Sequence, residues 1–131
     1  MQLPPKILLI SADDSMANSI CSCLTASHYN VVLISCGVGA ISIIQIEKPV
    51  LVVLDISLTD FNSLAIVRSI RSECLTDRIP IILIGSNMRE EDVVLGLEAG
   101  ADLCLLETFH PQVFVARVRS LLRRCELVKR H

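Results

Sequence analysis

The chain has 131 residues, enough for one domain with a substantial core, and its 52% apolar but only 3% aromatic residues predict an aliphatic core. Its apolar stretches of about five residues are far shorter than the roughly 18 that a membrane-spanning helix needs, and no signal-peptide pattern precedes them. We therefore expect a cytoplasmic protein without a membrane partner. The formal net charge of −2 neither favours nor excludes nucleic acid as a direct partner of this domain.

Five short apolar runs predict five β-strands. The runs are continuous and not alternating, as expected for parallel strands that are buried on both faces. They comprise Ile7–Ile10, Val31–Ile34, Val50–Leu54, Ile79–Ile84 and Leu103–Leu106.

Helical patterns lie between and after these runs. The first follows the candidate capping residues Asp13, Asp14 and Ser15, and the second spans Ala40–Glu47. The third follows Asn62, and the last begins at Pro111. The fourth starts with an Asn87/Glu90 capping box and ends at Gly100. Strands that alternate with helices through right-handed crossovers predict a doubly wound (βα)5 domain of the α/β class.

The six cysteines have irregular spacing, and none is paired with His or Cys at the spacing of metal ligands. In this context they predict neither a disulfide framework nor a zinc site. Most lie in apolar neighbourhoods, so we expect them to be small buried hydrophobic residues.

Asp55 ends the third apolar run, which places a carboxylate at the carboxyl edge of the predicted sheet. Open α/β folds bind their ligands at this edge. By itself, this position indicates an acid that accepts a phosphoryl group or binds a metal ion.

Four segments together resemble the receiver domain of two-component response regulators. They are Lys6–Ile10, Pro49–Asp55, Ile79–Ile84 and Gly96–Asp102. The stretch Arg89–Asp102, with Phe109–Pro111 and Ala116–Arg124, is most similar to the OmpR/PhoB branch of transcription factors. The resemblance implies one receiver domain over residues 1–131, with a flavodoxin-like (CheY-like) five-stranded sheet of order 2-1-3-4-5. It also suggests the N-terminal part of a longer regulator.

In that family, five positions carry the chemistry, and the resemblance places Asp55 at the phosphate acceptor. The acidic pair after the first strand falls on Ser11 and Ala12, the hydroxyl position on Gly85 and the lysine position on Glu107. Thr108 replaces the proline that usually follows the lysine, and Cys104 stands where an aromatic switch residue is usual. We therefore expect a vestigial acceptor without catalysis and without a bound Mg²⁺ cofactor.

Two points remain open at this site. A two-residue shift would bring Asp13 and Asp14 into the acidic pair, to form a metal site with Asp55; otherwise Asp14 has the role of a helix-start residue. Glu107 is interpreted as a mimic of the switched state, as part of an acidic metal site with Asp55, or as a side chain that turns to solvent.

The family resemblance also implies a symmetric dimer through the fourth helix, fifth strand and fifth helix. One inter-subunit ion pair of the branch is retained as Asp102 with Arg117. At the positions of a second pair, both charged residues are replaced by Val93 and Val113. In a third pair the acid is replaced by Leu103, so that Arg124 has no acidic partner there. With Leu97 and Ala116, these positions predict a face that associates without phosphate. The alternative is that the valines are ordinary surface residues.

Three hypotheses for function follow. The first is an atypical receiver that dimerises independently of phosphorylation and controls a DNA-binding domain outside this chain, so that DNA is contacted only through that domain. The second is a stand-alone scaffold that binds another signalling protein. The third is a phosphorylatable receiver with Asp55 as its acceptor.

Overall fold

The computed structural model of the chain describes residues 3–57, 62–106 and 110–130, with side chains of the last helix up to residue 125. Five parallel strands form one sheet of order β2-β1-β3-β4-β5, which confirms the predicted fold class. The elements in chain order are β1 (Lys6–Ile10), α1 (Asp14–Ala26), β2 (Asn30–Ile34), α2 (Ala40–Glu47), β3 (Leu51–Asp55), α3 (Ser63–Ser72), β4 (Ile81–Gly85), α4 (Glu90–Ala99), β5 (Leu103–Leu106) and α5 (Pro111–Arg130).

Both faces of the sheet are covered by helices, and this is why the strands are apolar except for Lys6, Asn30 and Asp55 at their ends. Alternate residues of one strand enter different cores: Leu9 packs with α1 and α5, whereas Leu8 packs on the α2 and α3 side. Phe114 anchors α5 in the first core and is fully buried. The doubly covered sheet therefore fixes the ends of β1, β3 and β4, where the candidate site lies.

The strand boundaries differ slightly from the sequence prediction at β3 and β4. Val50 precedes β3 and is 36% exposed. β4 starts at Ile81 and not at Ile79, because Pro80 has no N–H to give to a strand ladder. The amide of Ile81 instead donates to Oδ2 of Asp102 at 2.8 Å.

Helix starts confirm one of the capping predictions and correct another. Asp13 caps α1 by accepting from the amide of Met16 at 3.1 Å, and Asn62 caps α3. The predicted Asn87/Glu90 capping box is wrong, because α4 begins only at Glu90. There the amide of Arg89 donates to Oδ2 of Asp92 at 2.9 Å.

All six cysteines are free thiols, and their burial differs from the prediction. Cys36 and Cys74 are exposed, and the other four are only partly buried. The apolar neighbours in the sequence did not indicate that both residues lie in loops at the surface. Within the described residues, no helix has the length and apolar character needed to cross a membrane.

Arg71, at the end of α3, ties three segments together. Its guanidinium donates to the carbonyl oxygens of Gly100 at 2.9 Å, of Asp77 at 3.2 Å and of Ile79, and to Oδ2 of Asp102 at 2.9 Å. Gly100 ends α4 at φ +125°, and a Cβ there would lie 2.7 Å from Cγ of Arg71. The arginine thus holds the α3–β4 loop and the α4–β5 turn in place.

Arg71→Ala should lower the free energy of unfolding by about 2–4 kcal/mol, because several carbonyl groups and Asp102 lose a charged donor. Urea denaturation measures this change. Arg68→Ala is the matched control, since Arg68 lies on the same helix and is exposed. A loss no larger than in the control would show that the clamp contributes little.

Candidate functional site

Asp55 lies at the carboxyl end of β3 and is 1% exposed. β3 is flanked in the sheet by β1 and β4, so the residues that follow those two strands are its neighbours. Ser11 follows β1, and Gly85 ends β4. The structure therefore brings together three of the positions that the family resemblance identifies.

Hydroxyl groups surround the Asp55 carboxylate. Oδ2 accepts from the hydroxyl of Ser11 at 3.0 Å, and Oδ1 accepts from the hydroxyl of Ser57 at 2.6 Å and from the Ser57 amide at 2.9 Å. The Asp55 carbonyl oxygen accepts from the hydroxyl of Ser63 at 2.9 Å. Both carboxylate oxygens thus have protein donors, as a buried polar group requires.

The position of the acidic pair holds no acid in this structure. Ser11 is buried and bonded to Asp55, whereas Ala12 is exposed. Asp13 and Asp14 are also exposed, and Asp13 is occupied as the cap of α1. No three His, Cys, Asp or Glu side chains in the described ranges 3–57, 62–106 and 110–125 come close enough to share a metal ion. In this structure Asp13 caps α1, and a metal site of Asp13 and Asp14 with Asp55 stays a prediction.

At Gly85, which the family resemblance places at the hydroxyl position, a neighbour fills the space that a side chain would take. A Cβ at Gly85 would lie 2.8 Å from Cγ1 and 3.0 Å from Cδ1 of Ile56, and 3.3 Å from Cε of Met88. These distances are shorter than ordinary contacts between carbon atoms. The isoleucine that follows Asp55 and the glycine of β4 thus fit each other.

Cys104 of β5, which the family resemblance places at the switch position, joins this strand to α4. Its thiol is 3.8 Å from the carbonyl oxygen of Val93, to which it donates, and burial raises the pKa of this thiol. The sulfur also lies 3.1 Å from the place where a Cβ of Gly96 would be. Glu107 and Thr108 lie outside the described residues.

Apolar side chains are exposed on the face made by α4, β5 and α5. Leu97 is 46% exposed and Val113 48% exposed, while Val93 and Leu103 are partly buried. Further exposed apolar residues that the sequence reasoning did not name are Val94, Leu95 and Leu106. They were missed because α4 is apolar on nearly all sides, so that periodicity does not identify its exposed side.

The charged residues of this face have different surroundings. Asp102 is engaged within the chain, where its Oδ2 accepts from Arg71 and from the amide of Ile81. Ala116, Arg117 and Arg124 are exposed. A pair between Asp102 and Arg117 of two copies stays a prediction.

Sequence reasoning also missed Ser57 and Ile56 as site residues. An aspartate followed two residues later by serine is a pattern in which the side chain accepts from the later backbone amide, and this signal could have indicated Ser57. A glycine that ends an apolar strand indicates a close approach of another group, but the pattern does not identify Ile56 as that group.

The fit between Gly85 and Ile56 predicts an energetic coupling. Gly85→Ala should lower the free energy of unfolding by about 1–3 kcal/mol, because the new methyl group overlaps the Ile56 side chain. In an Ile56→Ala background the same change should cost less than about 0.5 kcal/mol, since the space is then open. A double-mutant cycle by chemical denaturation measures the coupling, and equal costs in both backgrounds would contradict the overlap.

The chain matches the family model described as the response regulator receiver domain over residues 7–119. It is 34% identical over 122 residues to the transcriptional regulatory protein AfsQ1 of Streptomyces coelicolor, a match that covers 93% of this chain and 53% of that protein. The alkaline phosphatase synthesis transcriptional regulatory protein PhoP of Bacillus subtilis is also 34% identical, with 93% of this chain and 50% of that protein covered. The chain thus spans about half the length of these relatives.

A solved receiver-domain structure has the same fold as this chain. The BeF3-activated N-terminal receiver domain of RstA from Klebsiella pneumoniae superposes with a TM-score of 0.83 at 33% identity, over 90% of this chain and 98% of that one. The same family is indicated by the order of the five parallel strands, by the buried Asp55 at the end of β3 and by the family model over residues 7–119. The chain belongs to the response regulator receiver domain family.

Proposed function

We propose that this receiver domain signals without phosphorylation, as a dimerisation module that controls a DNA-binding output domain. One observation carries the proposal: both oxygens of the Asp55 carboxylate already accept from serine hydroxyls. A phosphoryl acceptor needs one of these oxygens free to attack, and it needs a metal ion beside it. Here the hydroxyls of Ser11 and Ser57 already donate to these two oxygens.

The described residues do not fit a magnesium ion. Mg²⁺ is held in phosphoryl-transfer sites by carboxylates together with phosphates and water. Ser11 supplies a neutral hydroxyl in place of an acid, and this hydroxyl donates toward Asp55. No step of the proposed function therefore passes through a metal ion.

The side chains that would respond to a phosphoryl group in this family are also replaced in this chain. The hydroxyl side chain that would contact the phosphoryl oxygens is absent at Gly85, and Ile56 fills that space. Cys104 offers a small, partly buried thiol at the switch position. A signal that begins at Asp55 would thus meet neither a hydroxyl sensor at β4 nor a large side chain to move at β5.

Association through the α4–β5–α5 face is supported by its apolar surface. Leu97 and Val113 are each close to half exposed, and contiguous apolar patches on a receiver-sized domain are typical of interaction sites. Two valines at the positions of an inter-subunit ion pair would give a contact that has no desolvation penalty of charged groups. Such a contact would be favourable whether or not Asp55 is modified.

The output is inferred from relatives that are about twice as long and are named as transcriptional regulators. The chain matches only about half of each. We infer that a DNA-binding domain is the part through which dimerisation has its effect. A symmetric dimer of receivers would bring two such domains to neighbouring half-sites on DNA.

A phosphodonor should leave the domain unchanged. Incubation with acetyl phosphate, or with beryllofluoride and Mg²⁺, is expected to give no mass adduct on Asp55 and no shift of amide resonances at Ser11, Ile56 or Gly85. The receiver domain of Klebsiella RstA, which forms a BeF3-activated state, is the positive control under the same conditions. A stoichiometric adduct on Asp55 would contradict the proposal.

The domain should form a dimer without a phosphodonor. Sedimentation equilibrium should show a dissociation constant below about 100 μM, and Val113→Asp or Leu97→Asp should raise it by about tenfold or more, because each dimer would bury two unpaired carboxylates.

Ile46→Asp is the matched control for these variants, because Ile46 is an exposed apolar residue on α2. This variant should associate like the unmodified chain. A monomeric unmodified chain, or face variants that associate as well as the control, would contradict the dimer.

A further inference from the structure

A groove of about 660 Å³ crosses the amino edge of the sheet, at the end opposite Asp55. Its floor is formed by Pro5, Val50 and Pro80, which directly precede the neighbouring strands β1, β3 and β4. Lys48 and Leu75, from the loops before β3 and β4, line it on the α2 and α3 side, and Leu122 of α5 lines it from the other face of the sheet. This volume lies within the range of roughly 300–1,000 Å³ that is typical of binding pockets.

The floor of the groove offers few hydrogen-bonding groups. Pro5 and Pro80 have no N–H, and their carbonyl oxygens already accept from the amides of Asn30 at 2.9 Å and Val52 at 3.0 Å. The amide of Val50 is likewise used, since it donates to the carbonyl oxygen of Lys6 at 2.8 Å. At the rim, Leu75 is 76% exposed. A partner of this floor must therefore present apolar groups.

Cations flank the floor at both ends. Lys48 and Arg78 line the groove on one side, and Leu122 also lines a smaller adjoining hollow of about 320 Å³ with Arg119 and Arg123. Asp77 is the one acidic residue that lines the groove among the described residues. The two ion pairs of the described side chains, Lys6–Glu47 and Arg71–Asp102, involve none of these four cations. Among the described side chains, these four cations therefore have no ion-pair partner, within a chain whose net charge is −2.

The dimensions of this surface fit a short helix. Tyr29 lines the adjoining hollow and directly precedes β2, so the whole surface crosses the starts of four neighbouring strands. Three intervals of about 4.8 Å between strands give roughly 14 Å. An α-helix of about ten residues has the same length.

We propose that this surface, the amino-edge groove with its adjoining hollow, binds an acidic amphipathic helix of another protein. Apolar side chains of that helix would lie on Pro5, Val50 and Pro80, and its carboxylates would pair with the cations on either side. Nucleic acid fits less well, because single strands bind through stacked aromatic side chains and Tyr29 is the one aromatic residue that lines the surface in the described part of the chain.

The proposed surface is separate from the dimer face proposed above. Val113 of the dimer face and Leu122 of the groove both lie on α5 but nearly two and a half turns apart, on opposite sides of the helix. Both surfaces could therefore be occupied at once. Failure of one proposal leaves the other standing.

The test is a titration of the ¹⁵N-labelled chain with a helical peptide of about 16 residues that carries leucine on one face and glutamate on the other. Saturable amide shifts are expected at Lys48, Val50, Leu75 and Leu122, and not at Val94 or Leu97. A peptide with lysine in place of every glutamate should give no saturable shifts. Equal binding of that peptide, or absence of binding by the acidic one, would overturn the proposal.

Variants and one competitor complete the experiment. Leu75→Glu and the double variant Arg119→Gln/Arg123→Gln should each weaken binding by about tenfold, while Arg68→Gln on exposed α3 surface should not. Thermal unfolding verifies that each variant folds, and the neutral glutamine changes avoid new repulsion. Unchanged affinity in the double variant would overturn the proposal, as would tighter binding of a single-stranded oligonucleotide at the same amides.

Discussion

A buried carboxylate held by two serine hydroxyls is the interaction on which the site depends. Asp55 lies at the edge of the sheet with almost no contact with water, and a carboxylate in such a place is costly unless donors surround it. Ser11, which follows β1, and Ser57, which follows β3, supply those donors. The amide of Asp13 also donates to the Ser11 hydroxyl at 3.2 Å, and the Ser63 hydroxyl donates to the Asp55 carbonyl oxygen. The network therefore links β3 to the starts of α1 and α3.

The same network explains how an acidic residue can be kept in the phosphorylation-independent receiver that we propose. In a phosphorylatable site, the acid needs a metal ion and space for the incoming phosphoryl group. Here the neighbours of Asp55 donate hydrogen bonds, and Ile56 fills the space beside Gly85. Asp55 thus has a structural reason to remain an aspartate that is independent of phosphoryl transfer. We base the proposal of a phosphorylation-independent receiver on these hydrogen-bond partners of Asp55.

Much of the fold could be predicted because the relevant signals are local. Continuous apolar runs that end before Asp55, Gly85 and Glu107 predict buried parallel strands, and Asp13 and Asn62 carry capping signals that the structure uses. The position of Asp55 at the carboxyl edge follows from the strand pattern alone. The replaced positions Ser11 and Gly85 follow from aligning that pattern with the family.

Other features depend on side chains that meet from distant parts of the chain, which a single sequence does not indicate. The engagement of Asp102 by Arg71, 31 residues away, is one such feature, and the contact of Ile56 with the Gly85 position is another. The exposed apolar side of α4 was not identifiable because Val94 and Leu95 face solvent in a helix that is apolar on most sides. The amino-edge groove arises from loops and strand starts that only the folded sheet brings together.

The most direct measurement is the dimer dissociation constant of Asp55→Asn compared with that of the unmodified chain, by sedimentation without any phosphodonor. Asparagine keeps an oxygen that can accept from a serine hydroxyl but cannot accept a phosphoryl group. A phosphorylation-independent receiver predicts constants that agree within about twofold, with both chains folded by circular dichroism. A folded Asp55→Asn chain that no longer dimerises would contradict the claim, because the carboxylate itself would then control association.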